Sequence, residues 1–213
     1  MGVGVRVREA RKQATRDRVI AAARTLFETV GYEATTIRMI AEGAGVAIGS
    51  VFTTFASKAE VLNCILLDRF EALFEELDRL APYLRGDARE RVASLLSIAY
   101  GVERQSLGLM LAHLAASHGW PPEIEDENNR RQARLTALLR AALAKGVADG
   151  DVRADADIEL LVGMVVAVYL RNYRTAWYED LDAEALSGLM DRQLDVLFTG
   201  VQPASVMRRA VAA

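Results

Sequence analysis

AGVAIGSVFTTFASK, Ala44 to Lys58, carries one charged side chain in fifteen residues, and that charge comes last. Just before it, Ile37, Ile40 and Ala41 lie on one side of a short helix that Thr35 or Thr36 is placed to cap. Ala44-Gly45-Val46 interrupts this helix. Ala41, four residues before Gly45, is small enough for two helices to cross closely, and Gly45 is free to take a positive φ. A further helix follows over about 47–53, locked by Val46 and Val51. The spacing predicts a helix-turn-helix.

Upstream, Val19, Ala23, Leu26, Phe27 and Val30 recur at threes and fours, which predicts a helix over 11–30 that Gly31 stops. Downstream, Ser57-Lys58-Ala59-Glu60 is a capping-box pattern opening a long helix, with Val61, Leu62, Ile65, Leu66, Phe70, Leu73, Phe74, Leu77 and Leu80 facing inward before Pro82. Further helices are expected at about 87–101, 102–117, 123–147, 155–177 and 183–198, separated by turn chemistry such as Asp149-Gly150-Asp151. The reading is an all-α chain of about nine helices. Its N-terminal arm and three-helix helix-turn-helix domain occupy 1–56, a larger C-terminal helical domain 57–200 and a tail 201–213.

Composition agrees with that class. The chain has 213 residues, 52% of them hydrophobic, enough for a real core, and Ala- and Leu-rich segments favour helix over strand. The single cysteine, Cys64, excludes an intramolecular disulfide framework and reads as an inert packed thiol. Nothing at the N-terminus resembles a secretory signal, so a cytoplasmic location is expected. The longest apolar run, Leu160 to Leu170 (LLVGMVVAVYL), falls well short of the ~20 residues that cross a bilayer, so no membrane association is expected. The net charge of −3 is unevenly spread. Residues 1–60 hold nine Lys/Arg and six Asp/Glu, a balance of +3, whereas 61–213 hold seventeen and twenty-three, a balance of −6. Six of the basic residues lie within the first twenty, which makes that end either a phosphate-facing arm or a solubilising one.

Gly31-Tyr32, Thr35-Thr36-Ile37, Ile40-Ala41, Ala44-Gly45-Val46, Gly49-Ser50, Phe55 and Ser57-Lys58, in this order and spacing, resemble the TetR family of transcription regulators. The motif-bearing part covers about residues 11–65. The resemblance implies a homodimer on double-stranded DNA, joined through the last two long helices. It also implies a small-molecule effector held in the C-terminal domain and, by family default, repression. Two positions depart from the family pattern. Ala47 stands where a serine usually caps the recognition helix, and Phe52 and Thr54 stand where tyrosine and then tyrosine or histidine are usual. The tyrosine hydroxyl at the first of these commonly reaches a phosphate, and Phe52 has none.

The expected reading face is Ala47, Ile48, Gly49, Ser50, Thr53 and Thr54, with Phe52 beside it. It has no Arg, Asn or Gln for bidentate base contacts, so methyl groups against thymine methyls and hydroxyls against bases or phosphates are what remain. Ile48 is open to two readings, groove contact or core. Phosphate grip is assigned to Arg11 and Lys12 on the arm, Thr36 and Arg38 beside the second helix, and Lys58 at the start of the fourth. Candidate effector contacts, suited to an apolar pocket with a few polar handles, are Phe70, Phe74, Met110, His113, Trp120, Tyr169, Tyr173 and Trp177. The last three, spaced by fours, fit a dimer seam equally well. The only histidines, His113 and His118, are five apart, which does not suit a metal site, and no metal, cofactor or catalytic motif is expected. The rival readings are a small helical enzyme using His113 and a protein-binding adaptor.

Overall fold

The computed structural model describes residues 3–117 and 120–202; His118 and the tail from 203 onward lie outside the described residues. Nine α-helices are present among them: α1 (Val3–Thr29), α2 (Ile37–Ala44), α3 (Ile48–Phe52), α4 (Lys58–Leu80), α5 (Ala88–Glu103), α6 (Leu107–Ala116), α7 (Pro122–Asp149), α8 (Ile158–Tyr178) and α9 (Ala183–Thr199). The order matches the sequence reading with one clear difference. The first helix begins at Val3 rather than near residue 11. Apolar periodicity could not show this, because the segment from Val7 to Ala14 is exposed along its length. Its Arg, Glu, Ala, Lys and Gln residues are good helix formers and carry the helix by propensity alone.

The chain divides into two compact units, Met1–Phe70 with Gly108–Asp126, and Glu71–Leu107 with Glu127–Ala213. The first is built around one hydrophobic cluster. Val19, Ala23 and Phe27 of α1 meet Ile40, Ala41 and Ala44 of α2, Val51 of α3, Phe55, and the stripe Val61, Leu62, Ile65, Leu66 and Phe70 of α4. Leu109 and Met110 of α6 complete it. Of the expected α1 stripe Val19, Ala23 and Phe27 are core and Leu26 packs at its edge, whereas Val30, at the helix end, is exposed; the helix-turn-helix is packed against α4 rather than standing alone.

In the second unit α9 packs against both α5 and α8. Three of its helix starts carry side-chain caps. Asp87 and Glu90 form a reciprocal capping box at α5, and the side chains of Asp157 and Asp182 accept from Leu160 and Ala185 at α8 and α9. Helix α7 crosses α5 closely at Gly146, where an added Cβ would fall 2.4 Å from the Ala88 Cβ. Beside this crossing the buried Arg91 guanidinium donates to the Gly86 carbonyl at 2.5 Å and lies 3.4 Å from Asp149 and 3.7 Å from Asp151. No described helix is long and apolar enough to cross a membrane.

Candidate nucleic-acid interface

Thr36 is the residue that caps α2. Its hydroxyl accepts from the Met39 N–H at 3.2 Å, while Thr35 is buried and donates to the Gly31 carbonyl at 2.7 Å. At the other end, Gly45 takes φ +62°. Its N–H reaches the Glu42 carbonyl at 3.1 Å, and the Val46 N–H reaches the Ala41 carbonyl at 3.0 Å. This pair of bonds is a Schellman closure, which requires the left-handed conformation that glycine takes at little cost. The chain then enters α3 through Ala47, which is extended and has no side-chain cap, as its sequence implies. Helix α3 has five residues. It is held from beneath by Val51 and Phe55, each 1% exposed.

What α3 leaves outward is uncharged. Ala47, Ile48, Gly49, Phe52 and Thr53 are exposed, and Ser50 and Thr54 half-buried. Ile48, at 41% exposed, belongs to the outward face and not to the core. The threonines differ from expectation. Both hydroxyls donate to the Ser50 carbonyl, at 3.0 Å from Thr53 and 2.9 Å from Thr54, which leaves them lone pairs but no proton for a phosphate.

Around this face the cations fall into two groups. Arg11 and Lys12 are exposed on α1, and Arg38 is 77% exposed in its side chain, loosely paired with Glu42 at 3.4 Å. An exposed pair of this kind is worth little, so Arg38 is available to an anion. Thr36 is exposed as well, and its hydroxyl proton is not used by the cap. Lys58 is different. Its Nζ donates to the Tyr32 carbonyl at 2.7 Å, Thr35 at 3.0 Å and Glu33 at 3.4 Å, and it lies 4.2 Å from the centre of the Tyr32 ring. All three ammonium protons face the loop between α1 and α2, so the side chain expected on phosphate instead ties the start of α4 to that loop. Beside it Ser57 caps α4 through the Glu60 N–H at 3.1 Å, while the Glu60 carboxylate reaches back to the Ala56 N–H at 2.6 Å.

Arg16, which sequence reasoning counted only as part of the basic arm, lies 4.7 Å from the centre of the Phe55 ring and donates to Cys64 Sγ at 2.9 Å. Burial pushes the Cys64 thiol above its ordinary pKa, Arg16 opposing this in part, and keeps the sulfur in the protonated, unreactive form.

The residues proposed for an effector separate. In the first unit Phe70, His113 and Trp120 form a stack, with ring centres 5.7 Å apart for the first pair and 4.4 Å for the second. Met110 is buried in the same unit. The Trp120 Nε1–H is buried with no acceptor. Enclosure of His113 between two aromatic rings gives no support to its use as a catalytic base. Phe74, in the second unit, is buried under the Arg134 guanidinium at 4.7 Å. Tyr169 and Tyr173 are buried in the second unit, whereas Trp177 is 54% exposed. The three spaced by fours therefore do not form one seam.

Tyr169 and Tyr173 belong to a polar network that the sequence did not announce. The Tyr173 hydroxyl donates to the Tyr169 hydroxyl at 2.5 Å, which in turn donates to the buried carboxyl of Glu103. Tyr100 and Asn172 lie alongside, with Asn172 exchanging hydrogen bonds with Gln193 at 2.7 and 3.1 Å. Burial raises the Glu103 pKa to about 8, opposed by the Tyr169 hydrogen bond, and raises both Tyr100 and Tyr169 far above the ordinary tyrosine value. No group of three or more His, Cys, Asp or Glu side chains placed to hold a metal occurs among the described residues.

A glycine-closed helix-turn-helix, a short outward helix set on a buried apolar base, and exposed cations beside it define a DNA-binding protein of the helix-turn-helix class. Comparison with known proteins narrows this. Residues 19–65 match the family model described as bacterial regulatory proteins, tetR family. The chain is 26% identical over 149 residues to the transcriptional repressor KstR2 of Mycolicibacterium smegmatis, covering 68% of this chain and 71% of the relative. It is 29% identical over 214 residues to the transcriptional regulator TcmR of Streptomyces glaucescens, covering 92% and 87%. Among solved structures, a TetR/AcrR-family regulator from Thermobifida fusca superposes with a TM-score of 0.64 at 26% identity, covering 84% of this chain and 95% of that one. The Bacillus subtilis regulator FadR, in complex with stearoyl-CoA, superposes with a TM-score of 0.67 at 20% identity, covering 87% and 98%. Over residues 19–65 the chain is thus similar to the tetR family of bacterial regulatory proteins, and over most of its length it shares the fold of a TetR/AcrR-family regulator.

Proposed function

We propose that the protein is a homodimeric repressor that binds a pseudo-palindromic operator and is released from it by a small, largely apolar ligand. The observation that carries this reading is the α2–α3 turn, which presents an uncharged five-residue helix outward beside the exposed Arg11, Lys12, Thr36 and Arg38. The outward residues Ala47, Ile48, Gly49, Ser50, Phe52, Thr53 and Thr54 meet base edges and the four flanking residues meet phosphates. Lys58 acts one step back, by holding the α1–α2 loop from which Thr36 and Arg38 are presented.

One such helix makes too few contacts for specificity, which favours a two-fold dimer on two half-sites. Support comes from α8. Its buried face serves its own unit, while Leu160, Gly163, Met164 and Ala167 form an exposed apolar stripe with small residues at its middle. A second copy of α8 would cover that stripe. The effector is assigned to the neighbourhood of Phe70, Met110, His113 and Trp120, where aromatic rings offer apolar surface and the Trp120 N–H lacks an acceptor. Stearoyl-CoA, held in the FadR complex, has both the apolar body and the carbonyl oxygen such a site would take, and so would a ketosteroid, the class in the name of the Mycobacterium tuberculosis regulator KstR2.

Selection of binding sites from random duplexes with the full-length protein tests the core of this reading. An inverted repeat is expected, bound by two subunits, with binding weakened by an acyl-CoA or steroid series. Enrichment of no site, or of a site without two-fold symmetry, would sink it.

A further inference from the structure

The α3 face is short of side-chain hydrogen-bond donors. Thr53 and Thr54 have spent their hydroxyl protons on the Ser50 carbonyl, so toward a partner they offer lone pairs and methyl groups only. Ala47, Ile48, Gly49 and Phe52 have no polar side chain, and all four are exposed. Ser50 keeps the one side-chain proton of residues 47–54 that the fold does not use.

The major-groove edges of the base pairs differ in what they ask of such a surface. Guanine presents two acceptors, N7 and O6, and needs two donors. A G·C pair thus presents two acceptors and one amino donor, and no apolar group for the α3 methyls to cover. Beside its own two acceptors, adenine N7 and thymine O4, an A·T pair presents the thymine methyl and the adenine N6 amino group. The first matches the methyls of Ala47, Ile48 and the threonines, and the second matches the free threonine lone pairs. Cytosine also offers an amino group but lacks the methyl, and brings guanine with it.

We propose that α3 selects A·T base pairs through thymine methyl groups, with Ile48 as the residue that determines specificity and Thr53 and Thr54 as acceptors for adenine N6. The inference rests on the operator-binding reading above and adds what that operator must contain. Replacing thymine by uracil removes the methyl and nothing else, so it tests the contact directly.

The experiment uses full-length protein and the duplex enriched from random sequence, resynthesised with deoxyuridine in place of thymine one position at a time. Binding is expected to weaken roughly three- to fivefold at each thymine beneath α3, the value of about one buried methyl. Ile48→Ala is expected to bind the thymine and uracil duplexes alike at the base pair it covers, while keeping the helical circular dichroism of the parent. An enriched duplex whose affinity is indifferent to uracil at every position, or whose half-sites are read at guanines, overturns the inference and leaves the regulator reading standing. Failure to enrich any duplex overturns the regulator reading and this inference with it, and is distinct because it occurs before any uracil is introduced.

Discussion

Glu103 offers a quantitative test of how the second unit is held together. Its carboxyl is buried, accepts from Tyr169, and is surrounded by the hydroxyls of Tyr169, Tyr173 and Tyr100 with no cation among them. Burial raises its pKa from 4.5 to about 8. In the folded protein the group therefore keeps its proton between those two values, whereas in the unfolded chain it loses it. Below pH 4.5 both states are protonated and stability is complete. As pH rises toward 8 the unfolded state is favoured by about 1.4 kcal/mol for each pH step, for a total loss on the order of 5 kcal/mol that levels off above pH 8. Glu103→Gln retains the acceptor for Tyr169 and cannot ionise. Urea unfolding of both proteins from pH 5 to pH 9 is the assay. The variant should be less sensitive to pH, and its advantage over the parent should grow steadily up to about pH 8. Two curves that stay parallel across the range would refute the reasoning, because they would mean that the Glu103 carboxyl is as easily ionised in the fold as outside it.

Other consequences follow from the first unit and the helix crossings. Lys58→Met removes a charged donor from three carbonyls and should lower stability by about 1.5–3 kcal/mol in thermal unfolding, while leaving the salt dependence of DNA binding unchanged because the ammonium is taken up by those carbonyls. Phe52→Tyr restores a hydroxyl at an exposed position of α3 and should tighten DNA binding by about 0.5–1.5 kcal/mol in a shift assay; no change would show that Phe52 faces bases rather than backbone. Gly146→Ala puts a methyl 2.4 Å from the Ala88 Cβ and should cost about 1–3 kcal/mol in urea unfolding, an effect that Ala88→Gly should partly reverse. Met164→Glu places a charge in the exposed stripe of α8, and light scattering should then report loss of the proposed dimer.

Local rules reached far into this chain because helices announce themselves through residues three and four apart. The apolar positions of α1 and α4, the turn at Gly45 and the missing cap at Ala47 were all legible, since each depends on neighbours in sequence. So was the uncharged character of α3, which needs only the residue names. What a side chain touches across the fold was not legible. Lys58 was read as a phosphate contact from its place at a helix start, but residues twenty-three to twenty-six positions earlier bring three carbonyls to its ammonium. Nothing in the sequence around Glu103 marks it as buried; it is α8 that sets Tyr169 against it. Tyr169, Tyr173 and Trp177 share a spacing, yet two are buried and one is exposed, because the width of the covered face depends on what packs there. Periodicity and turn chemistry are properties of the local backbone, whereas the partner of a long polar side chain is chosen by whichever distant atoms the packed helices bring within about 3 Å.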